Sequence, residues 1–210
     1  MRIQVVLAAG VLLIAALLGL TLSRRPLIPI GVSGPANPEG LTVVSAGTRV
    51  CQSNEVLPRA TTAIRLALDV ALGPAISVQA RSGAHVLTQG SVDSGWRGRD
   101  VTVAVGRVPR TTPHVELCFA IAPSSEPVGL LGVPTSAATA ARNANAKLPG
   151  RVGIEYLRPS GRSWWSLALG VLRRMGLGRA PAGTWIALLV GALMASAALA
   201  ASWAVLRRLR

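Results

Sequence analysis

The segment 93–100 (DSGWRGRD) contains the side chains best suited to hold a polar ligand. An exposed Trp96 could stack on a sugar ring while the neighbouring arginines and aspartates bond the sugar hydroxyls. In the alternative, Trp96 folds back over a sheet edge and the arginines face water. We favour this alternative because aromatic side chains usually serve packing. The ligand-binding candidates are Asp93, Trp96, Arg97, Arg99 and Asp100.

Metal-ligand motifs are missing from the sequence. The only histidines, His85 and His114, lie outside any ligand-spaced pattern and the two cysteines are far apart, so a zinc site is not expected. Loop oxygens around Asp93 and Asp100 could coordinate calcium, but the chain has only eight acidic residues. We predict no metal and no cofactor.

Catalytic patterns are missing as well. Ser91, Asp93 and Ser94 lie close to His85 in sequence, but no Gly-x-Ser-x-Gly elbow is present, and polar residues around a hairpin explain them more simply. Several carboxylates sit singly on predicted strands, where they are typical of a solvated sheet face rather than of a glycosidase pair. We predict that the protein is not an enzyme.

The formal charge of +14 comes mostly from arginines beside two hydrophobic segments. Residues 26–163 contain 13 basic and eight acidic side chains, a net charge of +5. Basic residues beside a membrane segment attract anionic lipid headgroups. A nucleic-acid surface would combine a clustered basic face with stacking aromatics, and we expect neither. The lipid bilayer is a predicted partner, and nucleic acid is not.

The first apolar run, residues 5–22, is long enough to cross a bilayer as a helix, which takes about 20 apolar residues. It begins like a signal peptide, but it is longer than a signal core of about 7–15 residues and no Ala-x-Ala site follows it. Residues 1–25 are therefore predicted to form an uncleaved signal-anchor helix. A Pro/Gly-rich linker is predicted at 26–40.

The second apolar run, 184–206, predicts a C-terminal transmembrane helix. Trp185 and Trp203 lie near its ends, ~27 Å apart at ~1.5 Å per residue, which suits interfacial anchors. Arginines flank both runs on both sides, so charge alone does not orient them. The short N-terminal tail, the signal-like start and the cysteine pair predict two spans in the cell membrane, both termini cytoplasmic and the central domain extracytoplasmic.

Residues 163–177 predict an amphipathic helix lying in the membrane interface. Trp164 and Trp165 belong to its apolar side, and Arg173 and Arg174 lie on the opposite face, which is typical of an interfacial helix. The alternative is a helix packed on the domain itself.

Residues 41–158 predict a mostly β domain with an antiparallel β-sandwich fold, jelly-roll or immunoglobulin-like. Apolar and polar residues alternate over 64–70, 101–105 and 115–121, with turn residues between the runs and no alternating helices. The segment 133–150 is expected to form a short capped helix or a mobile loop.

Cys51 and Cys118 are candidates for a disulfide, because a cysteine pair in a non-cytosolic domain is usually oxidised. Cys118 is out of phase with the apolar residues of its strand, so the bridge does not fit the core of a strict immunoglobulin domain. We expect it to tie the connection around Cys51 to a sheet face.

In general plan the chain resembles the membrane-tethered sandwich modules of bacterial cell envelopes, an architecture that does not define a function. The first hypothesis is a non-catalytic envelope protein that binds a partner protein or an envelope glycan. The second is an enzyme acting on envelope polymer or on a lipid-linked substrate. The third is a helix-packing subunit of a membrane transport or biosynthetic complex. The first is favoured because no catalytic constellation is visible.

Overall fold

The computed structural model of the protein describes residues 2–34, 38–45, 47–124, 126–136, 139–143, 146–164 and 166–167. Leu27–Pro159 forms one compact unit, and the residues before and after it belong to a second unit.

Helix α1 covers Arg2–Ser23, so the residues of the first apolar run are helical. The Thr21 and Ser23 hydroxyls donate to carbonyls one turn earlier, at Leu17 (2.9 Å) and Gly19 (2.7 Å). The helix ends shortly before Pro26, in keeping with the bias of a residue preceding proline against helical conformation. Among the residues described, we find no helix that is both long and apolar enough to span a membrane. Membrane crossing by 5–22 stays a prediction.

The segment after the β domain begins the predicted interfacial helix. Trp164, Ser166 and Leu167 are helical, and the Ser166 and Leu167 amides donate to the Ser163 carbonyl. The Trp164 side chain is 45% exposed. Trp165, the residues 168–177 with Arg173 and Arg174, and the span 184–206 with Trp185 and Trp203 lie outside the described residues.

The strands of the compact unit are β1 (Leu27–Ser33), β2 (Glu39–Val44), β3 (Arg49–Leu57), β4 (Ala63–Val70), β5 (Ile76–Ser82), β6 (His85–Val92), β7 (Gly98–Ala104), β8 (Thr112–Ile121), β9 (Val128–Pro134), β10 (Arg142–Asn143), β11 (Ala146–Lys147), β12 (Gly150–Val152) and β13 (Ile154–Pro159).

The strands form two antiparallel sheets. The first has seven strands in the order β1-β13-β4-β9-β12, with β2 paired to β9 and β7 paired to β4. The second has six strands in the order β11-β10-β3-β8-β5-β6. The prediction of a mostly antiparallel, sandwich-like β domain is confirmed, and the three alternating runs fall in β4, β7 and β8.

The core is formed by the inward-facing residues of both sheets. On β8, Val115, Leu117, Phe119 and Ile121 are all at most 2% exposed, as their period of two predicts. They share one apolar cluster with residues of β4 such as Leu66. Burial of one such side chain contributes roughly 1.5–3 kcal/mol, and the polar residues left between them face outward.

Two segments differ from their predictions. Most of the expected linker 26–40 is strand: β1 pairs with β13, so the compact unit begins at Leu27 rather than at residue 41. Pro29 is tolerated there because β1 lies at the edge of its sheet, where a missing amide hydrogen costs little. The segment 133–150 was expected to be a helix or a loop, and its described residues instead include the short strands β10, β11 and β12.

Candidate functional site

The outer face of the six-stranded sheet carries two rows of cross-strand neighbours. Residues directly opposite in antiparallel strands share a face, so the pairing register defines each row. The first row is Arg49, Ala120, Ser77 and Ser91. The second row is Lys147, Arg142, Cys51, Cys118, Gln79 and Gln89.

A groove of 390 Å³ runs over these rows. It is lined by Arg49, Ser77, Val78, Gln79, Gln89, Gly90, Ser91, Cys118 and Ala120. Ala120 and Ser77 have small side chains, so the floor of the groove is low along the first row. The groove crosses β3, β8, β5 and β6, and so runs over the face of the sheet as far as its edge strand β6.

The side chains of this groove are free to bind a ligand. Arg49, Ser77, Gln89 and Ser91 are exposed and Gln79 is half-buried. Within the part of the chain that the structure describes, none of these five side chains is hydrogen-bonded to another protein group. Two carboxamides and two hydroxyls offer neutral donors and acceptors, and Arg49 adds a fixed positive charge.

The disulfide between Cys51 and Cys118 is present and lies beneath this surface. The two residues are direct partners on β3 and β8, with their Cα atoms 4.0 Å apart. The prediction of a bridge is confirmed, but its expected position is wrong: Cys51 lies within a strand, and the bridge joins neighbours in one sheet. Cys118 is only 2% exposed although it faces outward.

The basic residues of this face correct one expectation from composition. Arg49, Arg142 and Lys147 are all exposed and project to the same side along β3, β10 and β11. The β domain therefore has a clustered basic surface, which a residue count along the chain does not reveal. The groove lining contains no aromatic side chain on which a base could stack.

The predicted ligand-binding residues 93–100 lie elsewhere. The indole Nε1 of Trp96 donates to the Pro74 carbonyl (2.8 Å), and the ring is half-buried against the apolar core. A Cβ atom at Gly73 would lie 1.9 Å from this ring, so glycine is required beneath it. The Trp96 side chain thus packs against the domain itself, as in the alternative to a sugar-stacking role.

The charged residues of that segment are exposed but not gathered. Arg99 and Asp100 belong to strand β7, whereas Asp93 and Arg97 lie in the preceding turn. None of the four forms an ion pair with a residue that the structure describes. A ligand role for the five residues stays a prediction.

A smaller cleft of 190 Å³ lies on the seven-stranded sheet, with Arg65, Asp100 and Glu155 among its lining residues. The Arg65 guanidinium is already occupied, since it bonds the Glu155 carboxylate at 3.0 Å and Thr102 Oγ1 at 3.3 Å. The Arg65 and Glu155 side chains of this cleft are thus less available to a ligand than the polar side chains of the groove.

A buried polar cluster joins the two sheets, and sequence analysis missed it. The Glu55 carboxylate accepts hydrogen bonds from Gln52 Nε2 (2.6 Å), Ser33 Oγ (2.8 Å) and the Tyr156 hydroxyl (3.2 Å), and it pairs with the Arg151 guanidinium. The side-chain oxygen Oε1 of Gln52 also accepts a hydrogen bond from the Val152 backbone amide at 2.9 Å.

A bulge in β3 brings Glu55 inward. Three residues of β8, from Val115 to Leu117, lie opposite four residues of β3, from Gln52 to Glu55. Asn54 absorbs the extra residue with a φ of 62°, a conformation that asparagine tolerates better than most residues.

The buried cluster has no access to a substrate, because the Glu55 side chain is only 3% exposed. Burial raises the pKa of Tyr156 far above its usual value, and the charge and hydrogen bond of Glu55 raise it further. Tyr156 therefore stays a neutral donor. These residues hold strands together and do not form a catalytic centre.

The earlier metal and hydrolase candidates are dispersed. His85 begins β6 and Ser91 lies six residues further along it, about 20 Å away at ~3.3 Å per residue. His114 Nδ1 lies 2.7 Å from the Asn54 side-chain oxygen. Cys51, Cys118 and Glu116 lie close together, but the disulfide removes both thiolates as metal ligands.

Comparison with known proteins gives little further information. No protein-family model matches the chain, and no curated protein is similar to it. Among solved structures, the domain CsCBM6-3 from Clostridium stercorarium, determined in complex with cellobiose, is similar at 14% identity and a TM-score of 0.29. The match covers 65% of this chain and 95% of that domain. At this TM-score the likeness carries no inference about ligand or function.

Proposed function

We propose that this protein is a membrane-tethered, extracytoplasmic and non-catalytic binding protein whose β domain holds an envelope glycan in the groove of the six-stranded sheet. The observation that carries the proposal is the set of five unengaged polar side chains, Arg49, Ser77, Gln79, Gln89 and Ser91, around one open groove.

The chemistry of the lining favours a sugar over a peptide. An extended peptide usually adds to a sheet edge, where backbone groups are unpaired. This groove instead lies over paired strands and presents only side-chain groups. Carboxamides and hydroxyls match the mixed donors and acceptors of sugar hydroxyls.

One feature supports a binding role without catalysis, and another supports the membrane tether. The groove is lined by Ser77 and Ser91 but by no histidine or carboxylate, so a serine there has no base to activate it. The tether is supported by the helical first apolar run and by the arginines that flank it.

Co-sedimentation of the full-length chain in detergent tests the proposal. The probes are peptidoglycan sacculi and a panel of insoluble polysaccharides. The variant Ser91→Trp fills the groove, and Val43→Trp is its matched control because Val43 is 66% exposed on β2 in the other sheet. We expect the wild type and the Val43→Trp variant to bind at least one glycan. The Ser91→Trp variant should no longer bind that glycan. No binding to any glycan, or equal binding by both variants, would refute the proposal.

A further inference from the structure

The charge of the outer sheet face indicates which glycans the groove would take, an inference that rests on the proposed function. Four basic side chains point outward from the sheet: Arg49, Arg81, Arg142 and Lys147. Among the described residues of this face, Glu116 is acidic: it lies directly across from Arg81 and outside the groove lining, with its carboxylate within 4.8 Å of the Cys51 and Cys118 sulfurs of the second row. The arginines and lysine on the β3–β10–β11 side have no acidic neighbour in their rows.

The basic residues form one flank, defined here as Arg49, Arg142 and Lys147. In the second row, Arg142 pairs with Cys51 and Lys147 pairs with Arg142, so the flank continues the groove floor without a break. Adjacent strands are ~4.8 Å apart, which gives about 19 Å from Arg142 on β10 to Gln89 on β6. A ligand lying along the row would therefore meet two cationic groups first and neutral amides afterwards.

We infer that the ligand is an anionic glycan, with carboxylate or phosphate groups repeated along the sugar chain. Its anionic groups would bind the basic flank, while the hydroxyls of its sugar or sugar-alcohol units would bond Gln79, Gln89 and the two serines. A neutral glycan would leave the three cations of the flank without a partner. A nucleic acid would lack the stacking side chains that usually hold its bases.

The test compares two galacturonans that share a backbone and differ in charge, and it adds a polymer that carries phosphate groups. Polygalacturonate carries carboxylates, its methyl-esterified form is the neutral match, and poly(ribitol phosphate) represents phosphate. The protein is the full-length chain in detergent. The charge variant is Arg49→Gln/Arg142→Gln, and its matched control is Arg107→Gln/Arg110→Gln, which removes two exposed arginines between β7 and β8.

We expect at least one of the two polyanions to bind. If the protein binds polygalacturonate through its carboxylates, the methyl-esterified polymer should bind at least about tenfold more weakly. A hydrogen bond to a charged group is worth roughly 1.5–3 kcal/mol, or about tenfold or more in affinity. The flank variant should lose binding by at least that factor and lose most of the salt dependence, whereas the control variant should keep both.

Several outcomes would overturn the inference. Equal binding of polygalacturonate and its methyl ester, with no binding of poly(ribitol phosphate), would show that the protein does not recognise the negative charge of the glycan. An unchanged affinity in Arg49→Gln/Arg142→Gln would show that the flank is not used. Equal binding of a single-stranded oligonucleotide of the same charge would make the surface a general polyanion site. If neutral glycans bind through the groove in these cases, the proposed function stands; if no glycan binds at all, both fail.

Discussion

Replacement of Glu55 by glutamine should destabilise the β domain strongly. The carboxylate accepts hydrogen bonds from Gln52, Ser33 and Tyr156 and neutralises Arg151, whose side chain is 19% exposed. Glutamine keeps the shape but removes the charge and turns one acceptor into a donor. Breaking a buried ion pair on one side costs about 3–5 kcal/mol, and we expect about 3 kcal/mol because Arg151 retains some contact with water.

Urea denaturation of the oxidised full-length chain, followed by circular dichroism, measures this loss. With an m-value of about 2 kcal/mol/M, the midpoint should fall by about 1.5 M. The matched control is Glu155→Gln. Glu155 pairs with Arg65 at 3.0 Å, but the two side chains are 35% and 37% exposed, so this change should cost less than about 1 kcal/mol.

A second variant separates lost pairing from general misfolding. In Glu55→Gln/Arg151→Met the unpaired guanidinium is removed, so part of the stability should return. Equal and small losses in Glu55→Gln and Glu155→Gln would refute the cross-sheet role of the cluster. Failure of the double variant to recover any stability would show that Arg151 is not the group left uncompensated.

The remaining predictions concern Tyr156 and the disulfide. Because burial raises the pKa of Tyr156, its stabilising contribution should be complete below the usual tyrosine value of about 10 and should be lost as the pH rises above it. Tyr156 is the chain's only tyrosine, so phenolate absorbance should appear only with unfolding, and a phenolate signal from the folded protein near pH ~10.5 would contradict the burial. Replacing both Cys51 and Cys118 by alanine should cost about 4 kcal/mol for a separation of 67 residues, and reductant should lower the denaturation midpoint of the wild type but not of the variant. After reduction, a membrane-impermeant maleimide should label Cys51, which is half-buried, on intact cells, whereas Cys118 is only 2% exposed and should react only in the unfolded chain. Protection of Cys51 on intact cells, with labelling once the membrane is dissolved in detergent, would contradict the extracytoplasmic orientation.

The alternating strands could be predicted because their signal is local. On β4 and β8 large apolar residues recur at every second position, and the face that they share is buried. Strand β1 was missed because the segment around it, residues 26–40, contains four prolines and three glycines, although an edge position makes the proline within the strand harmless. Composition alone does not distinguish an edge strand from a linker.

The candidate site could not be predicted from sequence because it depends on register. Arg49, Arg142 and Ser91 come from distant parts of the chain, and only the pairing of four or more strands places them on one face. The Glu55–Arg151 pair spans 96 residues, and a bulge at Asn54 reverses the side expected for Glu55. The disulfide partners could be predicted from two cysteines, but not their position side by side in one sheet.

The pairing of β1 with β13 has a mechanical consequence. Leu27 and Pro159, the first and last residues of the compact unit, are direct cross-strand partners. The two polypeptide ends of the domain therefore leave from adjacent points, and a force that draws them apart loads the ladder at its terminal bond. Antiparallel hydrogen bonds lie perpendicular to the strands, so such a pull peels them open one pair after another instead of shearing them together. Lateral separation of the two flanking segments should thus open this edge at low force, beginning just outside Leu27 at the hydrogen bond that the Ser160 amide donates to the Pro26 carbonyl (2.7 Å).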